Sequence, residues 1–274
     1  MSAITNSSWR ITPPRPSPRS RWGALLGQLF FPPLCPITRQ RLVQPGSLSP
    51  EGWQRLQFVA APNCALCGAP FEHDAGLTLC APCAAPRGFE RQLCGPGRLD
   101  RVRSALVYDA LSAELILQLK YGDRHDLAPT LGGLMVPSLT ALEPPIGAVL
   151  QPVPLHAKRL RDRRFNQAAL LAQALSRRSG MPLRLDLLKR TKATPQQRGL
   201  GFAGRRRNLS GAFTASPQAK GKVIILVDDV LTSGATLLSA ARALRKAGVR
   251  FVGAVTVARV FETAKDPQVL LPDV

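Results

Sequence analysis

Two sets of residues could do chemistry. The first is the adjacent pair Asp228-Asp229, which follows the apolar run Ile224 to Val227. Behind it come Thr232-Ser233-Gly234-Ala235-Thr236, which open a segment with helical periodicity. Carboxylates at the C-terminal edge of a parallel strand lie where ligands bind in open α/β sheets. Hydroxyls and exposed backbone N–H groups at a helix N-terminus favour phosphate. Gly234 lets the backbone approach a ligand closely. The acid pair suits ribose hydroxyls, and the turn suits a 5′-phosphate. Two neighbouring acids at a strand end repel each other unless something uses them. No Gly-Lys-Ser/Thr loop is present, which excludes a Walker site.

The second set is Cys64-x2-Cys67-x12-Cys80-x2-Cys83. Paired CxxC knuckles at this spacing place four thiolates around one tetrahedral Zn²⁺. Four cysteine ligands leave no open position, so the role is structural. Two disulfides are the other reading, but no convincing secretory signal takes the chain into an oxidising compartment. His73, between the knuckles, reads as a solvated loop residue. Cys94 has no sequence partner and reads as a packing or free thiol. A fainter repeat precedes the knuckles: Cys35-x2-Thr38-x10-Ser49-x2-Gly52. It reads as a decayed first ribbon that keeps its shape without metal, so one zinc per chain is expected.

These residues need a frame to position them. The chain has 274 residues, enough for one sizeable α/β domain and a smaller module. All six cysteines lie before residue 95. From Leu99 onward, apolar strands alternate with amphipathic helices. Strands are expected over Val102–Tyr108, Ile146–Val153, Lys222–Val227 and Phe251–Val257. Helices are expected over Ala110–Tyr121, Asn166–Arg178 and Ala235–Ala247. That order predicts a parallel sheet with helices on both faces. The expected division is a disordered basic arm over 1–21, a double ribbon over 22–95, the α/β domain over 96–260 and a tail over 261–274. Trp22 to Leu34 loosely resembles a signal peptide but lacks a small-residue cleavage site. An organelle transit peptide fits the acid-free N-terminus; a cytosolic arm is favoured, and a cytoplasmic protein is expected.

The net charge is +20 and unevenly spread. Between Gln151 and Ser210, 15 Lys/Arg face two acids, Asp162 and Asp186. Such a patch suits a polyanion, either nucleic acid or a small phosphorylated ligand.

The segment Lys222 to Thr236 is similar to the signature that binds phosphoribosyl pyrophosphate (PRPP) in type I phosphoribosyltransferases. Further pieces resemble the ComF family of competence-linked, phosphoribosyltransferase-like proteins. They are Leu119-Lys-Tyr-Gly-Asp123, Pro152 to Gln167, Arg190 to Gln196, Arg205 to Asn208 and Gly211-Ala-Phe213. The family also carries an N-terminal zinc ribbon, often doubled. The commoner pattern before Phe-Asn-Gln is Arg-Gly; here Arg163-Arg164 stands instead.

The resemblance implies a type I phosphoribosyltransferase fold behind a small four-cysteine zinc ribbon. It implies that Asp228 and Asp229 hold ribose hydroxyls and that Thr232, Ser233, Gly234, Ala235 and Thr236 hold the 5′-phosphate. Pro152, Val153, Pro154, Leu155 and His156 would form a pyrophosphate loop, with Arg159, Arg161 and Arg163 neutralising pyrophosphate. Arg190, Gln196 and Arg206 would belong to a flexible hood. Mg²⁺ would accompany PRPP, and Zn²⁺ would fill Cys64, Cys67, Cys80 and Cys83. Two functions remain open: phosphoribosyl transfer to an unknown acceptor, or non-catalytic handling of single-stranded DNA or a competence helicase. Only Phe165, Phe202 and Phe213 interleave the basic region, which counts modestly against base stacking.

Overall fold

The computed structural model describes residues 32–74, 76–85, 93–156, 160–161, 165–192 and 211–261. The basic arm, the tail beyond residue 261, and Arg159, Arg163, Arg164, Gln196 and Arg206 lie outside them.

Among its described residues the ribbon carries the short helices α1 (Pro50–Gln54) and α2 (Ala81–Ala84). Then follow β1 (Arg101–Val107) and α3 (Ala110–Tyr121). Asp109 and Ser112 form a reciprocal capping box that starts α3. A 3₁₀ turn leads into α4 (Ala128–Leu134), α5 (Val136–Ala141) and β2 (Ala148–Pro152). Helix α6 (Gln167–Ser179) begins at the Asn166 cap and ends at Gly180, whose φ is 74°. A two-stranded antiparallel pair follows, β3 (Leu188–Arg190) with β4 (Phe213–Ala215). The chain closes with β5 (Val223–Leu231), α7 (Ala235–Lys246) and β6 (Phe251–Arg259).

The main sheet has the order β1-β6-β5-β2, and each of its pairings is parallel. Alternation along β5 divides two cores. Ile225 and Val227 join Leu115, Ile116, Leu119, Leu171 and Leu175 on one face. Ile224 and Leu226 join Leu237, Leu238, Ala241 and Leu244 on the other. Each fully buried leucine contributes roughly 1.5–3 kcal/mol of transfer free energy. The parallel sheet with helices on both faces is therefore the expected one, and no helix among the described residues is long and apolar enough to cross a membrane.

Two local differences matter. β5 does not stop at Val227 but runs through Asp228 and Asp229 to Leu231, because β6 continues beside it to pair Leu231 with Arg259. The ribbon is also bound into the sheet edge. Val59 donates to the Ala105 carbonyl (3.0 Å), Val107 to Gln57 (2.8 Å) and Val102 to Leu66 (2.8 Å). These bonds cover β1, which would otherwise be an open edge.

Candidate ligand and metal sites

The carboxylate pair lies deep in a cleft. Asp228 sits in register with Thr256, whose hydroxyl meets that of Ser104 at 2.7 Å. The Asp228 carboxylate accepts from the Asp229 N–H (3.0 Å), and Asp229 accepts from Val230 (2.7 Å). Around them the cleft is lined by the whole turn from Thr232 to Thr236, by Val153, Pro154 and Leu155, and by Arg190. The acid pair, the turn after it, part of the expected pyrophosphate loop and one residue expected in the hood thus share one opening. Its empty volume of about 850 Å³ includes space open to solvent.

Other expected residues stand elsewhere. Pro152 ends β2 opposite Val227, at the start of the expected pyrophosphate loop. His156 follows the cleft-lining segment, and Arg161 is exposed outside the lining.

Three lining residues belong to the family motifs but carry no expected ligand role: Lys120, Asn166 and Gln167. Lys120 is buried on α3, with its Nζ 3.2 Å from the Asp229 carboxylate. Asn166 caps α6 through the Ala168 N–H and donates to the Val153 carbonyl, both at 3.1 Å. Gln151 works beside it: its amide donates to Pro152 (2.8 Å) and accepts from Leu187 (3.1 Å). The segment after β2 is therefore tied to α6, and the end of β2 to Leu187 just before β3. Buried Gln167 Nε2 has no acceptor among the described residues.

Burial pushes the Asp228 carboxyl up to about 7, and the neighbouring Asp229 charge adds to it. The Asp229 N–H, Lys120 and Arg190 pull the other way. A carboxyl held that high keeps a proton on one acid up to near neutral pH. A ligand offering hydroxyl donors would favour the charge instead.

The four cysteines form the metal centre. Their sulfurs lie within 4.8 Å of one another, and Cys67 and Cys80 are 3.5 Å apart. A tetrahedral Zn²⁺ with bonds of about 2.3 Å sets its sulfurs about 3.8 Å apart, so the set fits zinc. Hydrogen bonding from Cys67, Cys80 and Cys83 pulls the Cys64 thiol far down, while Cys64 and its neighbours push Cys83 far up. A divalent cation removes that conflict by taking all four as thiolates. Cys94 is a buried free thiol, as the packing reading expected. It packs beside Cys83 and acts on its titration. His73 is exposed, as a solvated loop residue would be.

The first ribbon closes without such a set. Cys35, Thr38, Ser49 and Gly52 do converge. The Ser49 hydroxyl and N–H approach the Cys35 sulfur at 3.3 and 3.4 Å. Thr38 meets the Ser49 hydroxyl at 2.8 Å, and Gly52 N–H donates to it at 3.1 Å. Burial works against the Cys35 thiolate, yet the Ser49 and Thr38 bonds outweigh it and hold the thiol at about 6. One sulfur and two hydroxyls make a poor zinc set, and hydrogen bonds fill the space instead.

Comparison with known proteins agrees with this layout. A double zinc ribbon model matches residues 26–84, and a phosphoribosyl transferase domain model matches 166–270. DNA utilization protein YhgH of Escherichia coli (strain K12) is 32% identical over 200 residues, covering 69% of this chain and 86% of that protein. Competence protein ComFC of Bacillus subtilis (strain 168) is 32% identical over 196 residues, covering 71% and 76%. The chain belongs to the ComF family. Its family motifs meet at one cleft: Lys120 from the first, Val153, Pro154, Leu155, Asn166 and Gln167 from the second, Arg190 from the third and the Asp228 turn from the last. A solved glutamine PRPP amidotransferase from B. subtilis, complexed with ADP and GMP, overlays with a TM-score of 0.35 at 21% identity, covering 51% of this chain and 30% of that one. The ComF fold here is the type I phosphoribosyltransferase fold preceded by a four-cysteine zinc ribbon.

Proposed function

We propose that this ComF protein binds PRPP with Mg²⁺ in the cleft, in a role connected with DNA uptake. One observation carries the reading: the acid pair, the hydroxyl-rich turn and the pyrophosphate-loop residues line one cleft. Asp228 and Asp229 would accept from the ribose hydroxyls. Thr232 to Thr236 would hold the 5′-phosphate at the start of α7. Arg190 and Lys120 are the cations within the described lining. The described lining offers carboxylate oxygens and no thiol or imidazole, which suits a hard cation shared with phosphate oxygens. Mg²⁺ would neutralise pyrophosphate, while the chain orients the ribose and limits water.

The names of the relatives, a DNA utilization protein and a competence protein, support a role linked to DNA uptake. The net charge of +20 supports a second reading, direct handling of single-stranded DNA through the basic surface.

Calorimetry with PRPP and Mg²⁺ tests the first reading on the wild type and on Asp228→Asn/Asp229→Asn. The expected result is a heat in the wild type that the double variant loses. Equal or absent heats in both overturn it. Single-strand binding that falls steeply with salt and ignores the double variant favours the second.

A further inference from the structure

We propose that the zinc knuckle braces the phosphate turn, with Leu93 and Arg259 as the positioning residues. The proposal rests on the site reading above only for which ligand feels the brace; the packing stands by itself.

Two connections run from the cysteine cluster to the turn, on different chain segments. The first uses Leu93, just past the knuckles. Leu93 is buried in the same core cluster as Cys64, Cys67, Cys83, Leu231 and Ala235. Gly234 holds φ at 72°, and a Cβ there would collide with Leu93 Cδ2 and come within 3.4 Å of Leu231. Leu93 thus fills the space behind the one residue of the turn whose left-handed backbone sets where its N–H groups point.

The second connection uses Arg259, the last residue of β6. Its guanidinium donates to the Cys67 carbonyl and reaches the Cys67 sulfur at 3.9 Å. In the sheet, Arg259 pairs with Leu231, and Val260 N–H donates to the Leu231 carbonyl at 3.0 Å. Leu231 is the residue directly before Thr232, where the turn begins. Arg259 therefore holds the exit of β5 and a metal ligand at once.

The knuckle is itself a firm support. Arg103 donates to the Ala65 and Leu66 carbonyls at 2.9 and 3.3 Å, fixing the Cys64–Cys67 loop on β1. Gly68, at φ 68°, lies so close to β1 that a Cβ would sit 2.8 Å from the Val102 carbonyl oxygen. Ordering this loop by metal fixes a surface against which the turn is packed. Phosphate recognition by backbone N–H groups depends on such pre-set geometry.

The test uses the full zinc-loaded chain, with zinc content measured for each variant. The variants are Leu93→Ala, Leu93→Met and Arg259→Gln. Amide exchange is followed over residues 231–238. Ribose 5-phosphate probes the turn, and inorganic pyrophosphate probes the other half of the cleft. Leu93→Ala and Arg259→Gln are expected to speed exchange over 231–238 and to weaken ribose 5-phosphate about tenfold, near 1.4 kcal/mol. Pyrophosphate affinity and zinc content should hold, and Leu93→Met should restore the wild-type behaviour.

Wild-type exchange over 231–238 in both variants overturns the brace. So does an equal loss for both probes with exchange raised across the whole chain. If Leu93→Ala does not fold, Arg259→Gln decides alone. If ribose 5-phosphate fails to bind the wild type while exchange over 231–238 still responds, the ligand reading fails and the brace stands.

Discussion

Lys120 Nζ stands 3.2 Å from Asp229 Oδ2, with the two side chains 3% and 12% exposed. An ammonium so far from water is held by its partner, and the partner by it. The pair joins α3 to β5 across one face of the sheet. It keeps a charged carboxylate beside Asp228, which is why burial and that charge together hold a proton on Asp228. Arg190 adds a second positive charge near Asp228 from the described lining.

Removing the cation should be costly. Lys120→Met leaves Asp229 buried without its partner, a change worth on the order of 3 kcal/mol when one member of a buried pair is lost. Urea denaturation measures it. Adding Asp229→Asn should recover much of the loss, because the stranded charge goes too. Additive losses in the double variant would show that the two side chains do not act as a pair.

Asp228 should destabilise the ligand-free fold at neutral pH. Its carboxyl holds a proton to about pH 7 folded, against 3.8 ordinarily. The stability it contributes is therefore full below about pH 3.8 and is lost as pH rises through 7. Asp228→Asn stays neutral throughout. Its melting temperature should match wild type near pH 4 and exceed it at pH 8 by a few degrees, at about 2–4 °C per kcal/mol for a domain this size. A gain that does not grow between pH 4 and 8 contradicts a protonated Asp228.

Much of this site could be read from residue order, because its parts are local. Ile224 to Thr236 joins strand, acids, turn and helix start in one stretch, and each piece has its own physical signature. Both cysteine pairs are equally local. Lys120 was not legible as a site residue, since a single lysine on an amphipathic helix ordinarily points to water. Only the packing of α3 beside β5 turns it inward. The reach of β5 to Leu231 was hidden for a related reason. Aspartates disfavour strands, and the override comes from β6, whose pairing partners lie some 28 residues on. Leu93 carried no signal at all, because its value depends on the φ of Gly234.

Asn166 gives a prediction about geometry more than charge. Its side chain caps α6 and holds the Val153 carbonyl. Asn166→Ala should cost about 1–2 kcal/mol for the cap and the freed carbonyl. Asn166→Asp should keep the cap but lose the donor to Val153. If the tether matters for ligand binding, both variants lose pyrophosphate affinity although only the first loses the cap. Full affinity in Asn166→Asp would assign the residue to helix stability alone.

The first ribbon should keep its shape with no metal of its own. Ser49 donates to the Cys35 sulfur by hydroxyl and N–H, meets Thr38, and accepts from Gly52. Ser49→Ala removes the central hydroxyl and strands the buried Gly52 N–H, a loss of about 1–3 kcal/mol. The melting temperature should fall while elemental analysis still reads one zinc per chain. Cys67→Ser should do the opposite to the metal, taking the count toward zero, because three thiolates and a hydroxyl hold zinc poorly. Gly52→Ala probes the same space from the other side: its Cβ would sit 2.8 Å from the Cys35 sulfur, so the network must open to admit it. Two zinc ions in the wild type would mean that Cys35 and its hydroxyl neighbours bind metal after all. One zinc in the wild type and in Ser49→Ala, with only the second destabilised, would establish that hydrogen bonds have taken the place of the ion.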